Sequence, residues 1–223
     1  MEKISYEQYL QLIDGAQVIE KDGAGIKVLD TQQGEIIKLF RRKRFFSTAL
    51  LKPYAVRFVD NAQQLDTLGI PTVKINRLLW CHSIKRHLVV YQRLDGLLLR
   101  DVLSDSTLNS DALFRQFGSF IAKLHNKGVY FRSAHLKNIL VCPHGDFALI
   151  DISDMQIKKK ALKLALRIRN FQHILRYQAD KDLLKKHTEA FLSAYLEASP
   201  LNKTDAAALN RGLQSNLSNT SAT

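Results

Sequence analysis

Leu124-His125-Asn126-Lys127-Gly128-Val129-Tyr130-Phe131-Arg132-Ser133-Ala134-His135-Leu136-Lys137-Asn138-Ile139-Leu140, followed nine residues on by Leu149-Ile150-Asp151-Ile152-Ser153, is the stretch whose reading decides the fold. Phe114, Phe117, Ile121 and Leu124 recur at helical spacing and predict a buried helix over Leu113–Asn126. Residues 129–138 show no period and read as irregular. Ile139–Val141 and Phe147–Ile152 are short apolar runs around the turn Pro143-His144-Gly145-Asp146, so the pair predicts a β-hairpin. The residue entering the first strand of a hairpin and the residue leaving the second lie at the same end. Asn138 and Asp151 therefore bring an amide oxygen and a carboxylate together. Taken singly, Asn138 reads equally well as a turn cap and Asp151 as an ordinary strand-end acid.

Working outward, residues 6–13 read as a short helix, followed by strands at Gln17–Glu20, Ile26–Leu29 and Glu35–Phe40. The turn Asp22-Gly23-Ala24-Gly25 joins strand to strand, which makes this a β-meander and not a dinucleotide-binding unit. A helix over 54–68 ends at Gly69 and Pro71, and strands at Val73–Leu79 and His87–Gln92 complete a small sheet. After Asp95-Gly96 the pattern turns helical, with helices expected at 157–176 and 181–197. In the first of these, Ala161, Leu164, Ile168, Phe171 and Leu175 form an apolar face, and Lys159, Lys163 and Arg167 a basic stripe on another. The Ser-, Asn-, Thr- and Ala-rich residues 200–223 read as a flexible polar tail. The fold class is α+β.

Composition excludes several classes. The chain has 223 residues, 46% hydrophobic and 24% charged, which is ordinary globular composition rather than disorder. No charge-free apolar run approaches the ~18 residues of a membrane-spanning helix, and Met1-Glu2-Lys3 opens without the apolar core of a secretory signal. Cys81 and Cys142 cannot build a disulfide framework or a four-thiolate zinc site, so they read as reduced residues of a cytoplasmic protein. The formal charge of +12 points to an anionic partner. It is clustered in Arg41-Arg42-Lys43-Arg44 and in residues 155–186, which hold ten basic residues against Asp180 and Asp182.

From Val18 to Tyr195 the order of elements and the residues at their joints resemble the protein-kinase-like fold. The resemblance implies a bilobal arrangement: a small N-terminal antiparallel sheet with one helix as the nucleotide-binding lobe (1–94), then a larger, mostly helical catalytic lobe (95–199). Arg132, His135, Asn138 and Asp151 fall at the positions of that fold's catalytic and metal-binding loop. The resemblance implies ATP and Mg²⁺ as cofactors, with Asn138 and Asp151 holding the metal. A hard cation suits one amide oxygen and one carboxylate while keeping waters and phosphate oxygens. Lys38, alternating with Ile36 and Phe40, would pair with the nucleotide phosphates. Its plainer reading is a surface lysine on a sheet edge. Gly23 and Gly25 would form the phosphate-covering turn, although a hairpin uses such glycines anyway. Gln92 to Leu94 would read the adenine edge through backbone groups.

Two positions depart from the pattern. Ser133 stands where the fold's catalytic Asp is found, and Asn61, beside Asp60, where a helix acid usually holds the strand lysine. The loose transition state of phosphoryl transfer makes positioning more important than proton removal. His135 is then the candidate acceptor-side group, or a brace for the loop backbone, and Arg132 binds phosphate or braces the loop. Lys38-Leu39-Phe40-Arg41, Gly69-Ile70-Pro71 and Phe131-Arg132-Ser133 look like the bacterial toluene tolerance protein group, which is similar to the Kdo and heptose kinases of the lipopolysaccharide core. That implies a lipopolysaccharide core sugar as acceptor and weak peripheral attachment to the anionic inner membrane. The alternatives are a pseudokinase, motivated by Ser133 and Asn61, and a basic RNA-associated protein. The latter lacks a reader motif, so nucleic acid is not the expected partner. The oligomeric state is not readable.

Overall fold

The computed structural model describes residues 1–23, 25–41, 52–105, 107 and 110–218. These residues divide into two compact units, one of Met1–Thr67 and Thr72–Asp95, the other of Leu68–Pro71 and Gly96–Thr223.

The first unit is built on a six-stranded sheet. In chain order its elements are β1 (Glu2–Ile4), α1 (Tyr6–Ile13), β2 (Gln17–Asp22), β3 (Gly25–Asp30), β4 (Glu35–Arg41), α2 (Tyr54–Thr67), β5 (Ile75–Cys81) and β6 (Arg86–Gln92). The strand order is β1-β5-β6-β4-β3-β2. The expected antiparallel sheet is present over five strands. The sixth, β1, adds to the edge in parallel with β5, a pairing too short to leave a sequence period. Ser5 starts α1 with a capping box: its hydroxyl accepts from Gln8 N–H while the Gln8 side chain accepts from Ser5 N–H. One face of the sheet packs Ile37, Leu39, Leu79, Leu88 and Val90 with Ile4 and Tyr9. Phe58, Asn61, Ala62 and Leu65 form the buried face of α2, and Phe58 packs on Phe40 and Tyr91, with ring centroids 5.6 Å apart in each pair. Both faces of β4 are thereby covered.

The second unit contains β7 (Leu97–Leu98), α3 (Leu99–Ser104), α4 (Asp111–Asn126), β8 (Val129–Phe131), β9 (Ile139–Val141), β10 (Phe147–Leu149), β11 (Met155–Ile157), α5 (Leu164–Ile174), α6 (Gln178–Lys186), α7 (Thr188–Glu197) and α8 (Lys203–Ser218). β9 and β10 form the expected hairpin, with β7 on its other edge.

Four expectations need correction here. Residues 129–131 are a strand and not irregular chain, because they pair antiparallel with β11. The helix expected from 157 begins at Leu164. Lys158 N–H donates to Gly128 O at 2.9 Å and Leu162 N–H to His125 O at 2.8 Å, so backbone bonds to distant carbonyls hold 158–162 out of the helix. Gly128 itself, at φ +78°, leaves no room for a side chain: a Cβ would lie 2.3 Å from Lys158 O. The helix expected over 181–197 is two helices, broken at His187 (φ −125°, ψ 20°). Finally, residues 203–218, expected to be flexible, form α8, which buries Leu209, Leu213 and Leu217 and packs on α5. Their small polar residues disguise an apolar stripe at helical spacing.

Candidate functional site

The hairpin register pairs Leu149 with Ile139, so Asn138 and Ile150 flank its open end, and Ile150 N–H donates to Asn138 O at 3.0 Å. This bond ends β10 at Leu149, short of the expected Ile152, and the next residue, Asp151, adopts a left-handed conformation (φ 52°, ψ 45°). Only Lys85, in the β5–β6 turn, shares a positive φ among the described non-glycine residues. Left-handed backbone at an aspartate costs energy and concentrates at functional positions.

Asn138 is buried, and its side chain is oriented by what it donates to. Nδ2 lies 2.9 Å from Ser133 O and 3.3 Å from His135 Nε2, while Oδ1 accepts from no donor among the described residues. With both hydrogens turned into the loop, planar amide geometry turns the oxygen out of it. Among the described residues no cluster of three or more His, Cys, Asp or Glu could hold a metal. An amide oxygen with no protein donor among the described residues, at the hairpin end that leads into Asp151, suits a hard cation that retains waters.

The loop carrying these groups is anchored from below. Arg100 binds Asp180 through two hydrogen bonds of 2.7 and 2.8 Å, and Asp180, fully buried, also accepts from Leu136 N–H at 3.4 Å. Such a fork fixes position as well as charge. His135 is half-buried. Burial lowers its pKa below the usual value, with Asp180 and Asp151 opposing and Arg100 and Arg176 assisting, so the imidazole is neutral at pH 7. Its Nδ1 is buried without a hydrogen-bond partner among the described residues. The ring meets Tyr177 edge-on at 5.2 Å. Arg132 is exposed and lies 3.4 Å from Asp154. Ser133 is half-buried and offers the loop its carbonyl.

Ten residues before His135, a second histidine behaves differently. His125 is fully buried, and burial lowers its pKa to about 3. Its Nε2 donates to Asn170 Oδ1 at 3.0 Å and its Nδ1 accepts from Tyr195 Oη at 2.7 Å. Arg167, 1% exposed, donates to Tyr195 Oη, Leu162 O and Asn126 Oδ1 at 3.0, 2.9 and 2.9 Å. The expected basic stripe of Lys159, Lys163 and Arg167 is therefore absent: Lys159 lies outside the helix and Arg167 inside the core.

The first unit carries the remaining candidates. Lys38 sits mid-strand in β4, opposite Val28 and Val89, with its ammonium 5.8 Å from the Phe58 ring and 5.9 Å from the Phe40 ring. It is half-buried, not on a sheet edge. Asn61 lies one helical turn from Phe58 on the buried face of α2, while Asp60 pairs with Lys52. Gly23 and Gly25 form the β2–β3 turn, Gly25 at φ +108°, and Asp22 of that turn pairs with Arg41. Ala24 and the basic run Arg42-Lys43-Arg44 lie outside the described residues. Gln92 N–H donates to Lys74 O at 3.0 Å and Arg93 N–H to Gly34 O at 2.9 Å. Of the stretch expected to read a base, Leu94 N–H is thus the amide without an acceptor among the described residues.

Arg100, Asp180 and Tyr177 escaped the sequence reading. Their one signal was Asp180, an acid among ten bases that a solvated face has no need of.

Two solved structures of WbdD, one described as a bifunctional kinase-methyltransferase, are similar to the chain: 14% identity and TM-score 0.47 over 84% of it, and 17% identity and TM-score 0.49 over 87%. The chain spans 48% and 43% of their lengths, less than half. No curated protein sequence matches it. No helix among the described residues is long and apolar enough to cross a membrane. The model of the lipopolysaccharide kinase (Kdo/WaaP) family matches residues 26–195, which include Lys38, the whole loop from Arg132 to Asn138, and Asp151. The chain belongs to that family.

Proposed function

We propose that the chain is an ATP- and Mg²⁺-dependent kinase that phosphorylates a sugar hydroxyl of the lipopolysaccharide core at the cytoplasmic face of the inner membrane. The observation that carries the reading is the orientation of Asn138: an amide with its donors committed to the loop and its oxygen accepting from no donor among the described residues, at the hairpin end that leads through Ile150 to Asp151. When bound, Mg²⁺ bridges and neutralises nucleotide phosphate oxygens. Asn138 and Asp151 are the residues that would hold it. Lys38 is assigned the nucleotide phosphates, with Gly23 and Gly25 as the turn over them and Leu94 in the adenine-reading stretch with Gln92. In this proposal Asn61 stands where the resembled fold usually has a helix carboxylate.

His135 stands at the acceptor side, neutral and hydrogen-bonded to the metal-holding amide. Ser133 cannot act as a carboxylate base, so transfer rests on positioning and charge stabilisation, as a loose transition state permits. Arg132, paired with Asp154, braces the loop or meets an acceptor anion. The narrower kinship with toluene tolerance proteins belongs to the same proposal, and so does weak attachment to an anionic membrane through the basic segments.

Transfer of label from γ-labelled ATP to purified core oligosaccharide tests the reading. Metal-dependent transfer that disappears in Asp151→Asn is the expected result. Nucleotide binding without transfer to any core acceptor would make the chain a pseudokinase, the reading that Ser133 favours.

A further inference from the structure

Among the large apolar side chains described in the second unit, only Leu97 and Tyr177 are exposed. Tyr177 is 40% exposed, yet its ring is held in place. Its carbonyl accepts from Asp180 N–H at 3.1 Å and from Lys181 N–H at 3.2 Å, which starts α6 and sets Tyr177 one turn from Asp180. Both side chains meet Arg100. The guanidinium that Asp180 forks stands 4.7 Å from the Tyr177 ring centroid. That of Arg176, the preceding residue, lies 5.9 Å from the same centroid. A ring fixed by a largely buried ion pair loses little freedom when a ligand settles on it.

The same ring is tied to the loop. It meets the His135 imidazole edge-on, with centroids 5.2 Å and planes 75° apart. Asp180 in turn accepts from the N–H of Leu136, the residue after His135. Two links, one aromatic and one through Arg100 and Asp180, therefore set the ring beside the histidine assigned to the acceptor side. Tyr130 and Tyr195 bond their hydroxyls to protein partners, whereas that of Tyr177 has none among the described residues. Neither its hydroxyl nor its solvent-facing surface is used by the fold.

Such a tyrosine offers a flat apolar surface with a polar rim. A sugar ring is its counterpart, with hydroxyls around the edge and a patch of C–H groups on one face. Stacking buries that patch while the hydroxyls keep water or protein partners.

We propose that Tyr177 is the platform on which the acceptor sugar lies, its C–H face against the phenol ring and its reactive hydroxyl turned toward His135. The inference rests on the sugar-kinase reading above. Tyr177 acts on binding and on the choice among sugars: an acceptor with an axial hydroxyl on the stacking face would have to lift off the ring. It takes no part in moving the phosphoryl group.

The test uses the full chain, γ-labelled ATP and purified core oligosaccharide. Tyr177→Leu keeps an apolar side chain but removes the ring. It should raise KM for the oligosaccharide roughly three- to tenfold, the scale of an aromatic contact, with the loss carried by that KM rather than by kcat or the KM for ATP. Tyr177→Phe restores the ring and should recover most of the loss. If Tyr177→Leu lowers kcat with KM unchanged, Tyr177 only packs the loop. If Tyr177→Phe loses as much as Tyr177→Leu, the hydroxyl makes the contact. Either result overturns the proposal and leaves the kinase reading standing.

Proton magnetic resonance of the oligosaccharide gives a readout independent of turnover. On binding the wild-type protein, C–H protons on one face of one sugar should shift upfield, the ring-current signature of an aromatic surface. The shift should persist with Tyr177→Phe and vanish with Tyr177→Leu. No upfield shift, or one that survives Tyr177→Leu, overturns the proposal. Should Tyr177→Leu fail to fold, Tyr177→Trp replaces it: the larger ring system should enlarge the shift, and an unchanged shift overturns the proposal. If the wild-type protein transfers to no core acceptor, the kinase reading falls, and the platform stands or falls on these shifts alone.

Discussion

His125 and His135 are ten residues apart on one continuous stretch, and they sit in opposite kinds of polar environment. Around His125 every partner is protein: Asn170, Tyr195, Arg167, Asn126 and two backbone carbonyls satisfy one another. Around Asn138 and His135 the accounts stay open, with an amide oxygen and a ring nitrogen lacking donors or acceptors within the described residues. Buried polar groups are normally paired, and Asn138 and His135 are the groups to which the proposed reading assigns a ligand. A closed network stabilises a fold, and an open one recognises something outside it.

The comparison breaks most visibly at Asp151. Asparagine keeps the left-handed backbone accessible and the volume constant but removes the charge. Asp151→Asn should lower kcat by on the order of 10²–10³-fold, as for loss of one electrostatic group at a reacting phosphoryl centre, with the melting temperature unchanged within a degree or two. An unfolded or strongly destabilised variant would place Asp151 in the closed network instead.

The reverse pattern is expected at Asn170. Asn170→Leu strands the buried His125 Nε2–H and removes one of the hydrogen bonds to Phe131 O, which keeps that from Ala134 N–H. A cost of about 1–3 kcal/mol follows from one unpaired group, a melting point lower by roughly 2–12 °C in a domain of this size. Turnover per folded molecule should hold at a temperature where the variant is still folded. Differential scanning calorimetry paired with the transfer assay separates the two effects.

How far this contrast was legible in the sequence depends on range. The hairpin, the flanking Asn138 and Asp151, the sheet and α2 follow from local period and turn chemistry. The closed network does not, because Arg167 looks like any basic residue of a charged run until Tyr195, Asn126 and Leu162 come to it from elsewhere in the chain. The late start of α5 has the same origin: Gly128 O and His125 O capture the backbone of 158–162, and no property of residues 158–162 announces it. In α8 the stripe of Leu209, Leu213 and Leu217 was present in the sequence, but the surrounding Ser and Asn residues dominated its composition. Asn138's orientation was unreadable, since which way an amide faces depends on its neighbours' carbonyls.

Acid sharpens the comparison further. His125 keeps a pKa of about 3 in the folded chain against roughly 6.5 unfolded. Its folded pKa is depressed, so below pH 6.5 the unfolded chain takes up a proton that the folded one refuses, and stability falls with pH. The slope from this side chain is about 1.4 kcal/mol per pH unit between roughly pH 6 and 4. Urea unfolding at a series of pH values measures it. His125→Asn should flatten the slope, even as it lowers stability at pH 7. A slope unchanged by the substitution would assign the acid sensitivity to other groups, His135 and His173 among them, whose pKa values are also lowered first by burial.

The smallest effect on stability is expected where the open region meets solvent. Arg132 and Asp154 form an ion pair with both side chains more than one third exposed, and such pairs contribute about 0–1 kcal/mol. Asp154→Asn should therefore move the melting temperature by no more than about 2–4 °C. Its consequence for binding has the opposite sign from every other substitution here. Asp154 is the carboxylate paired with Arg132, so removing it takes that counter-charge from the guanidinium. KM for an anionic acceptor should fall severalfold at low ionic strength, and the gain should fade as salt screens the site. A KM that rises instead would mean that Asp154 orients Arg132 rather than competing with the acceptor for it, and Arg132 would then belong with the braces of the loop.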